Sequence, residues 1–357
     1  RRDGGAGYSH MLYDSVRGAT KHIKSNATAA EVAVSDALTS FDSDGFGVGT
    51  DAAVNGSGNN MVAWCWDAGD TTVSNTDGSI TSSVRSNPAY GFSVVTYSGN
   101  GTAGATIGHG LNAPIDFMII KNRGAVASWI AKHKSLPNYN TTAFLELNST
   151  LAVDNATGAG LSSGATTFTL NNSYGTQNSN TNTYVAYCFS EIAGYSKFGS
   201  YTGTGASGNA VTTGFKPAFV MIKNTSASGN WMMYDATRSA SGGITNELYA
   251  NTSDAEAAVL RGTFDSNGFT IDSTSASLNT SGNTYIYMAF KDTREYAFWL
   301  DDSGNNNDWQ PNGGITTGST VTDTPTPYAD GGNYAVLNPL DSSYTPTEAN
   351  LNVICAG

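Results

Sequence analysis

The sequence predicts an all-β protein of tandem antiparallel β-sandwich repeats, jelly-roll/lectin-like or immunoglobulin-like, with short helices at most. Three observations carry this expectation. One strand-like segment occurs three times, as Asn59-Asn60-Met61-Val62-Ala63-Trp64-Cys65-Trp66, Asn182-Thr183-Tyr184-Val185-Ala186-Tyr187-Cys188-Phe189 and Asn283-Thr284-Tyr285-Ile286-Tyr287-Met288-Ala289-Phe290. Each couples a turn signal to β-branched, aromatic and small residues, the composition of a strand packed on both faces. Charged residues are 13% of the chain against about a quarter in ordinary domains, while Gly numbers 41, so turns and short strands are favoured over helices. Strand-like runs also recur between turn clusters at spacings of about 8 to 12 residues, with no helical crossovers.

The repeats divide the chain in order. Residues 1–68 resemble the back part of a unit: Tyr13-Asp14-Ser15-Val16-Arg17 answers to Tyr234-Asp235-Ala236-Thr237-Arg238, and Phe41-Asp42-Ser43-Asp44-Gly45-Phe46 to Phe264-Asp265-Ser266-Asn267-Gly268-Phe269. Residues 69–90 are Ser/Thr-rich and read as a linker. A second unit occupies 91–192 and a third 196–293. Lys121 pairs with Lys223 and Trp129 with Trp231, both 102 residues apart. Residues 26–38 and 254–261 hold good helix formers and are expected as the short helices. From 294 to 357 the composition turns to Gly, Asn and Pro, leading to a further domain or partner, so the chain is expected to be an ordered piece of a longer polypeptide or a processed product.

Charge and cysteine content exclude several classes. A net charge of −12 argues against a phosphate-tracking surface, hence no nucleic acid. No apolar run approaches the length of a membrane span, and the first residues lack the apolar stretch of a signal peptide. Three cysteines make no disulfide framework. Cys65 and Cys188 fall where the third copy has Ala289, so both are expected as small, packed, reduced thiols.

The Tyr201-Thr202-Gly203-Thr204-Gly205 opening, the Phe215-Lys216-Pro217-Ala218-Phe219-Val220-Met221-Ile222-Lys223-Asn224 strand, Asn230-Trp231 and the last closing strand together resemble a repeat of tail-fibre and other virion appendage proteins of marine bacteriophages. The run Asp302-Ser303-Gly304-Asn305-Asn306-Asn307-Asp308-Trp309, and the later Thr322-Asp323-Thr324-Pro325-Thr326 and Leu337-Asn338-Pro339-Leu340-Asp341, resemble segments that follow such repeats. The resemblance covers residues 90–357 well and 1–68 more loosely. It implies a structural, non-catalytic protein of the virion surface, made in the host cytoplasm and acting in host attachment. Homo-oligomers, a trimer by preference, other virion proteins and a host surface glycan or receptor are the implied partners. A carbohydrate-binding adhesin module is the alternative, and a polysaccharide-degrading tailspike the next.

Candidate sites are few. Asp301, Asp302, Asn305 and Asp308 offer oxygen ligands for calcium but lack calcium-loop spacing. Asp42-Ser43-Asp44-Gly45 and Asp265-Ser266-Asn267-Gly268 read better as hairpin turns than as calcium loops. Trp309 is the candidate glycan contact, whereas Trp129 and Trp231, in equivalent repeat positions, read as core. His10, His22, His109 and His133 do not cluster at ligand spacing. Gly203-Thr204-Gly205-Ala206-Ser207-Gly208 matches the spacing of a dinucleotide loop but has no helix after it. Glu146, Glu191, Glu247 and Glu256 are the carboxylates from which a glycosidase pair would have to come. No catalytic, cofactor or metal site is otherwise expected.

Overall fold

The computed structural model describes residues 7–43, 45–140, 142–155, 160–171, 175–239 and 242–291. They fall within one compact unit. The expected C-terminal segment 294–357, with Cys355 and the candidates Asp301, Asp302, Asn305, Asp308 and Trp309, lies outside the described residues.

In the first repeat, β1 (Met11–Leu12), β2 (Lys21–Lys24) and β3 (Val32–Ala33) form one small sheet, and β4 (Leu38–Asp42) and β5 (Gly45–Val48) a hairpin. A single helical turn, α1 (Ala52–Asn55), follows, its N-terminus capped by the Asp51 carboxylate accepting from the Ala53 amide. The second repeat holds β6 (Val73–Asn75), β7 (Ser82–Asn87), β8 (Phe92–Ser98), β9 (Ala105–Gly108), β10 (Phe117–Asn122), β11 (Ile130–His133), β12 (Leu145–Glu146), β13 (Leu161–Ser163), β14 (Thr167–Leu170) and β15 (Thr183–Phe189). Its main sheet runs β12-β11-β10-β15-β8-β7-β6 and its smaller sheet β13-β14-β9. The third repeat holds β16 (Ser196–Thr202), β17 (Asn209–Thr212), β18 (Pro217–Asn224), β19 (Met232–Asp235), β20 (Gly243–Tyr249), β21 (Ala257–Asp265), β22 (Gly268–Ile271) and β23 (Thr284–Lys291). These make one ladder, β16-β23-β18-β19-β20-β21-β22-β17. The chain is thus all-β with antiparallel sheets, as expected.

The closing strands β15 and β23 occupy the middle of their sheets, between β10 and β8 and between β18 and β16. Alternation sends their side chains into two different cores. Tyr184, Ala186 and Cys188 face the second unit's own core, as Tyr285, Tyr287 and Ala289 face the third unit's. Val185, Tyr187 and Phe189, with Ile286, Met288 and Phe290, enter a central core that all the repeats share. The tyrosines also explain the Tyr-x-Gly openings. Tyr97 stacks on Tyr184 and Tyr201 on Tyr285, both with ring centroids 5.1 Å apart. Two residues on, a Cβ would stand 2.3 Å from Ser179 O at Gly99 and 2.1 Å from Thr280 O at Gly203, so only glycine fits.

The three repeats close cyclically on one another. The Ala127 amide of the second donates to Thr28 O of the first at 2.9 Å, Gly229 of the third to Thr150 O of the second at 2.8 Å, and Gly7 of the first to Ser253 O of the third at 2.9 Å. The indoles repeat the pattern: Trp129 Nε1 donates to Lys24 O and Trp231 Nε1 to Glu146 O. The paired lysines do so as well, Lys121 Nζ on Thr28 O and Lys223 Nζ on Thr150 O. Inside, the equivalent ends of the closing segments meet as a triangle of Trp66, Phe189 and Phe290, with centroids 5.7 to 6.1 Å apart.

Four expectations are corrected. Residues 26–38 and 254–261 are not helical; they contain β3 and the start of β21, where pairing with β2 and β20 overrides helix propensity. Residues 69–90 are more than a linker, because β6 and β7 extend the second unit's main sheet. Segment 58–66 forms no strand and has one bridge residue, Met61. Its Val62, Trp64 and Trp66 pack on the central core, whereas Met61 is exposed. Cys65, on the Met61 side, is exposed instead of buried, unlike Cys188. The reason is architectural: among the described residues the first repeat has no second layer on that side, and Phe41 and Phe46 are exposed as well.

A shared core makes one cooperative unit. Trp231→Ala, which removes a 2% exposed side chain and its bond to the preceding repeat, is expected to cost about 3–5 kcal/mol. In denaturant it should lower the midpoint of a single transition; a second, unshifted transition would mean that the repeats fold separately.

Candidate functional site

A concavity open to solvent lies where the supposed linker joins the second unit. It has a volume of about 210 Å³ and is lined by Ser74, Thr81, Ser83, Thr96, Ser98, Thr183 and Arg123, with Ser82 and Tyr97 on the opposite face of the same strands. Strand register builds it. Ser74 on β6 lies opposite Ser83 on β7, which lies opposite Thr96 on β8. Two residues along the strands, Ser98 lies opposite Thr183 on β15, and Thr81 adjoins the Ser82–Tyr97 pair. Two rows of hydroxyls therefore cross neighbouring strands about 4.8 Å apart. They stand on the face that, further along β8 and β15, buries Val94 and Val185 in the central core.

The two faces of these strands differ in their bonding. Tyr97 OH donates to Gln177 O at 2.8 Å and Ser82 Oγ to Gly108 O at 3.0 Å, and both residues are buried. None of the six lining hydroxyls makes a hydrogen bond among the described residues. Arg123 marks the rim. Its amide donates to Thr183 O, and its guanidinium grips Glu31 of the first repeat through Nε and Nη2 at 2.8 and 2.9 Å.

The titratable clusters elsewhere are closed on themselves. Arg17 pairs with Asp14 and Glu31, and Tyr187 OH joins Asp14 and Arg17. Arg238 repeats this with Asp235 and Glu256, and Trp64 Nε1 donates to Asp235 at 3.1 Å. Of the glutamates named as carboxylate candidates, Glu191 holds Lys134 and Lys197, Glu247 holds Arg261 with Tyr234 and Tyr249, and Glu256 holds Arg238. Burial pushes Glu191 and Glu247 up, but hydrogen bonds from their cations outweigh it and both pKa values fall below the usual carboxylate range. A glycosidase acid needs the opposite shift. Glu146 contributes its backbone carbonyl to Trp231.

A family model for a domain of unknown function, DUF7483, matches residues 2–293. The chain belongs to the DUF7483 family. No curated protein and no solved structure matches it. The matched span of the DUF7483 domain takes in all three repeats, the same stretch that the cyclic contacts and the central core hold together.

The remaining motifs of the DUF7483 domain resolve into structure. Ser266 and Asn267 connect β21 to β22 in a hairpin closed at Asp265–Gly268, and the Asp265 carboxylate accepts from Thr263 and Thr270. The Gly203–Gly208 loop links β16 to β17 without a helix. Among the described residues no three His, Cys, Asp or Glu side chains gather as metal ligands. Trp129 and Trp231 are core. Sequence reading missed the groove, whose only signal was the dense Ser/Thr content around 71–86.

His133 is the most consequential buried titratable group. It takes the β11 position held by Asp14 and Asp235 in the other repeats, and its Nε2 lies 3.0 Å from Tyr287 O while Nδ1 accepts from the Ser135 amide at 3.1 Å. Both bonds require the neutral tautomer with the proton on Nε2. Burial lowers its pKa to about 4 from 6.5. The unfolded chain therefore binds a proton that the folded chain refuses, and stability present above pH 6.5 is lost as pH falls toward 4, by up to about 3 kcal/mol. Equilibrium unfolding of wild type against His133→Asn should show a steeper acid loss for wild type across that window.

Proposed function

We propose that this DUF7483 protein is a non-catalytic structural element of a virion surface, a tail fibre or similar appendage that contributes to host attachment. The observation that carries the reading is the pairing of an interlocked three-repeat body with an open, hydroxyl-lined groove whose rim cation, Arg123, is neutralised by Glu31. The body suits a part that must persist outside a cell without disulfides, since Arg17, Arg238 and Arg261 are each held by a carboxylate, buried Lys121 and Lys223 by backbone carbonyls, and its repeats share one core. The resemblance of Phe215–Asn224, Asn230-Trp231 and the closing strand to phage appendage repeats supports the same reading. The groove also favours the second reading, a carbohydrate-binding adhesin module. A homotrimer remains the proposed assembly, by the same resemblance.

Antibodies against the chain separate these. Immunogold labelling of intact particles, with antibody fragments that block adsorption to host cells, is the expected result. Label confined to a cell surface would replace the first reading by the second, and particles that adsorb normally despite saturating label would remove attachment from the proposal.

A further inference from the structure

We propose that the groove between β6, β7, β8 and β15 is a binding site for a neutral glycan. The proposal relies on the attachment reading only for where that glycan resides. Three features point to the ligand. The six lining hydroxyls of Ser74, Thr81, Ser83, Thr96, Ser98 and Thr183 face solvent without protein partners among the described residues, whereas those of Ser82 and Tyr97, on the opposite face of the same strands, are satisfied. A hydroxyl both donates and accepts, so an array of them matches the mixed donors and acceptors of sugar hydroxyls better than it matches a ligand that only accepts.

The spacing suits a sugar chain. One row crosses β6, β7 and β8, the other runs from Thr81 just ahead of β7 through Ser98 to Thr183, and a volume of about 210 Å³ accommodates a short saccharide stretch with the remainder in solvent. The site is built rather than incidental. The strands beneath it are pinned from their opposite face by the Tyr97–Gln177 and Ser82–Gly108 bonds, and its rim is held from the side by the first repeat through the Arg123–Glu31 pair.

Electrostatics then choose among glycans. Arg123 is the cation at the rim, and its bidentate ion pair with Glu31 cancels its charge. An anionic sugar or phosphate would find no unpaired cation among the lining residues, while its own charge would oppose the chain's net −12. No aromatic face lines the opening for stacking, since Tyr97 is buried at 4% exposure. Affinity therefore rests on hydrogen bonds that compete with water, and each site binds weakly.

The test uses the full chain on an array of neutral hexose and N-acetylhexosamine oligosaccharides beside sialylated and sulfated ones, followed by calorimetry on the best neutral binder. Expected is binding to neutral members that survives added salt, with Kd raised about tenfold by Ser83→Ala/Ser98→Ala and unchanged by Ser228→Ala, an exposed serine outside the groove. Both groove serines are exposed, so the variant should keep the wild-type melting temperature, which is checked alongside. The proposal is overturned by no neutral binding at about 10 mM sugar, by binding that the groove variant leaves unchanged, or by binding restricted to anionic glycans and abolished by salt. Failure of the attachment reading would show on the particle and leave this result standing, because sugar binding by purified protein does not depend on where the protein is mounted.

Discussion

Every part of this structure depends on the two-faced burial of the closing strands. Because β15 and β23 each sit between two hydrogen-bonded neighbours, one face is free to fill its own repeat while the other fills the centre. The central face is what converts repeats into a single body, with Phe189 and Phe290 joined by Trp66 from a segment that forms no strand. Such ring contacts contribute about 0.5–1.5 kcal/mol each beyond area burial. Larger in sum is the apolar surface that no repeat could cover alone.

Polar groups at the seams are organised by the same cyclic logic. Lys121 and Lys223 are fully buried, and burial pushes both amines down to about 8, yet each bonds a carbonyl of the preceding repeat. The Asp14–Arg17–Glu31 cluster and its counterpart Asp235–Arg238–Glu256 sit where other repeats approach, through Tyr187 and Trp64. Ion pairs of this kind contribute little net stability against apolar replacements, but breaking one partner is costly. The two clusters occupy equivalent positions in the first and third repeats, each meeting an aromatic side chain of another repeat.

The duplicated motifs made much of this legible in the sequence. Lys121 with Lys223 and Trp129 with Trp231 announced equivalent structural positions, and the unbroken apolar run of residues 184–189 announced a strand buried on both faces. The misreadings share one cause, the neighbours a segment meets. Segment 58–66 has the composition of a closing strand, and no local signal reports that a second layer is missing on the Cys65 side. The Ala255–Leu260 stretch has helical propensity, but β20 offers it a ladder, and Leu260 projects to solvent at 68% exposure. Residues 73–87 looked like a connector because an edge of a sheet needs few apolar anchors; Ile80 and Val84 are the buried hydrophobic residues there. The groove followed that misreading into obscurity, since serine and threonine rows become a surface only when register aligns them.

Of the strands that build the groove, β6 and β7 have no counterpart in the third repeat, where β16 ends the ladder among the described residues. Near-symmetry in the body is therefore broken at its surface, where the groove forms on the second repeat. A weak monovalent contact gains strength through copy number: a second tethered contact raises avidity by about 10²–10⁴ when geometry lets both engage. The spacing at which several chains are mounted side by side would then set how firmly they hold, a parameter controlled by assembly and not by any residue of the groove.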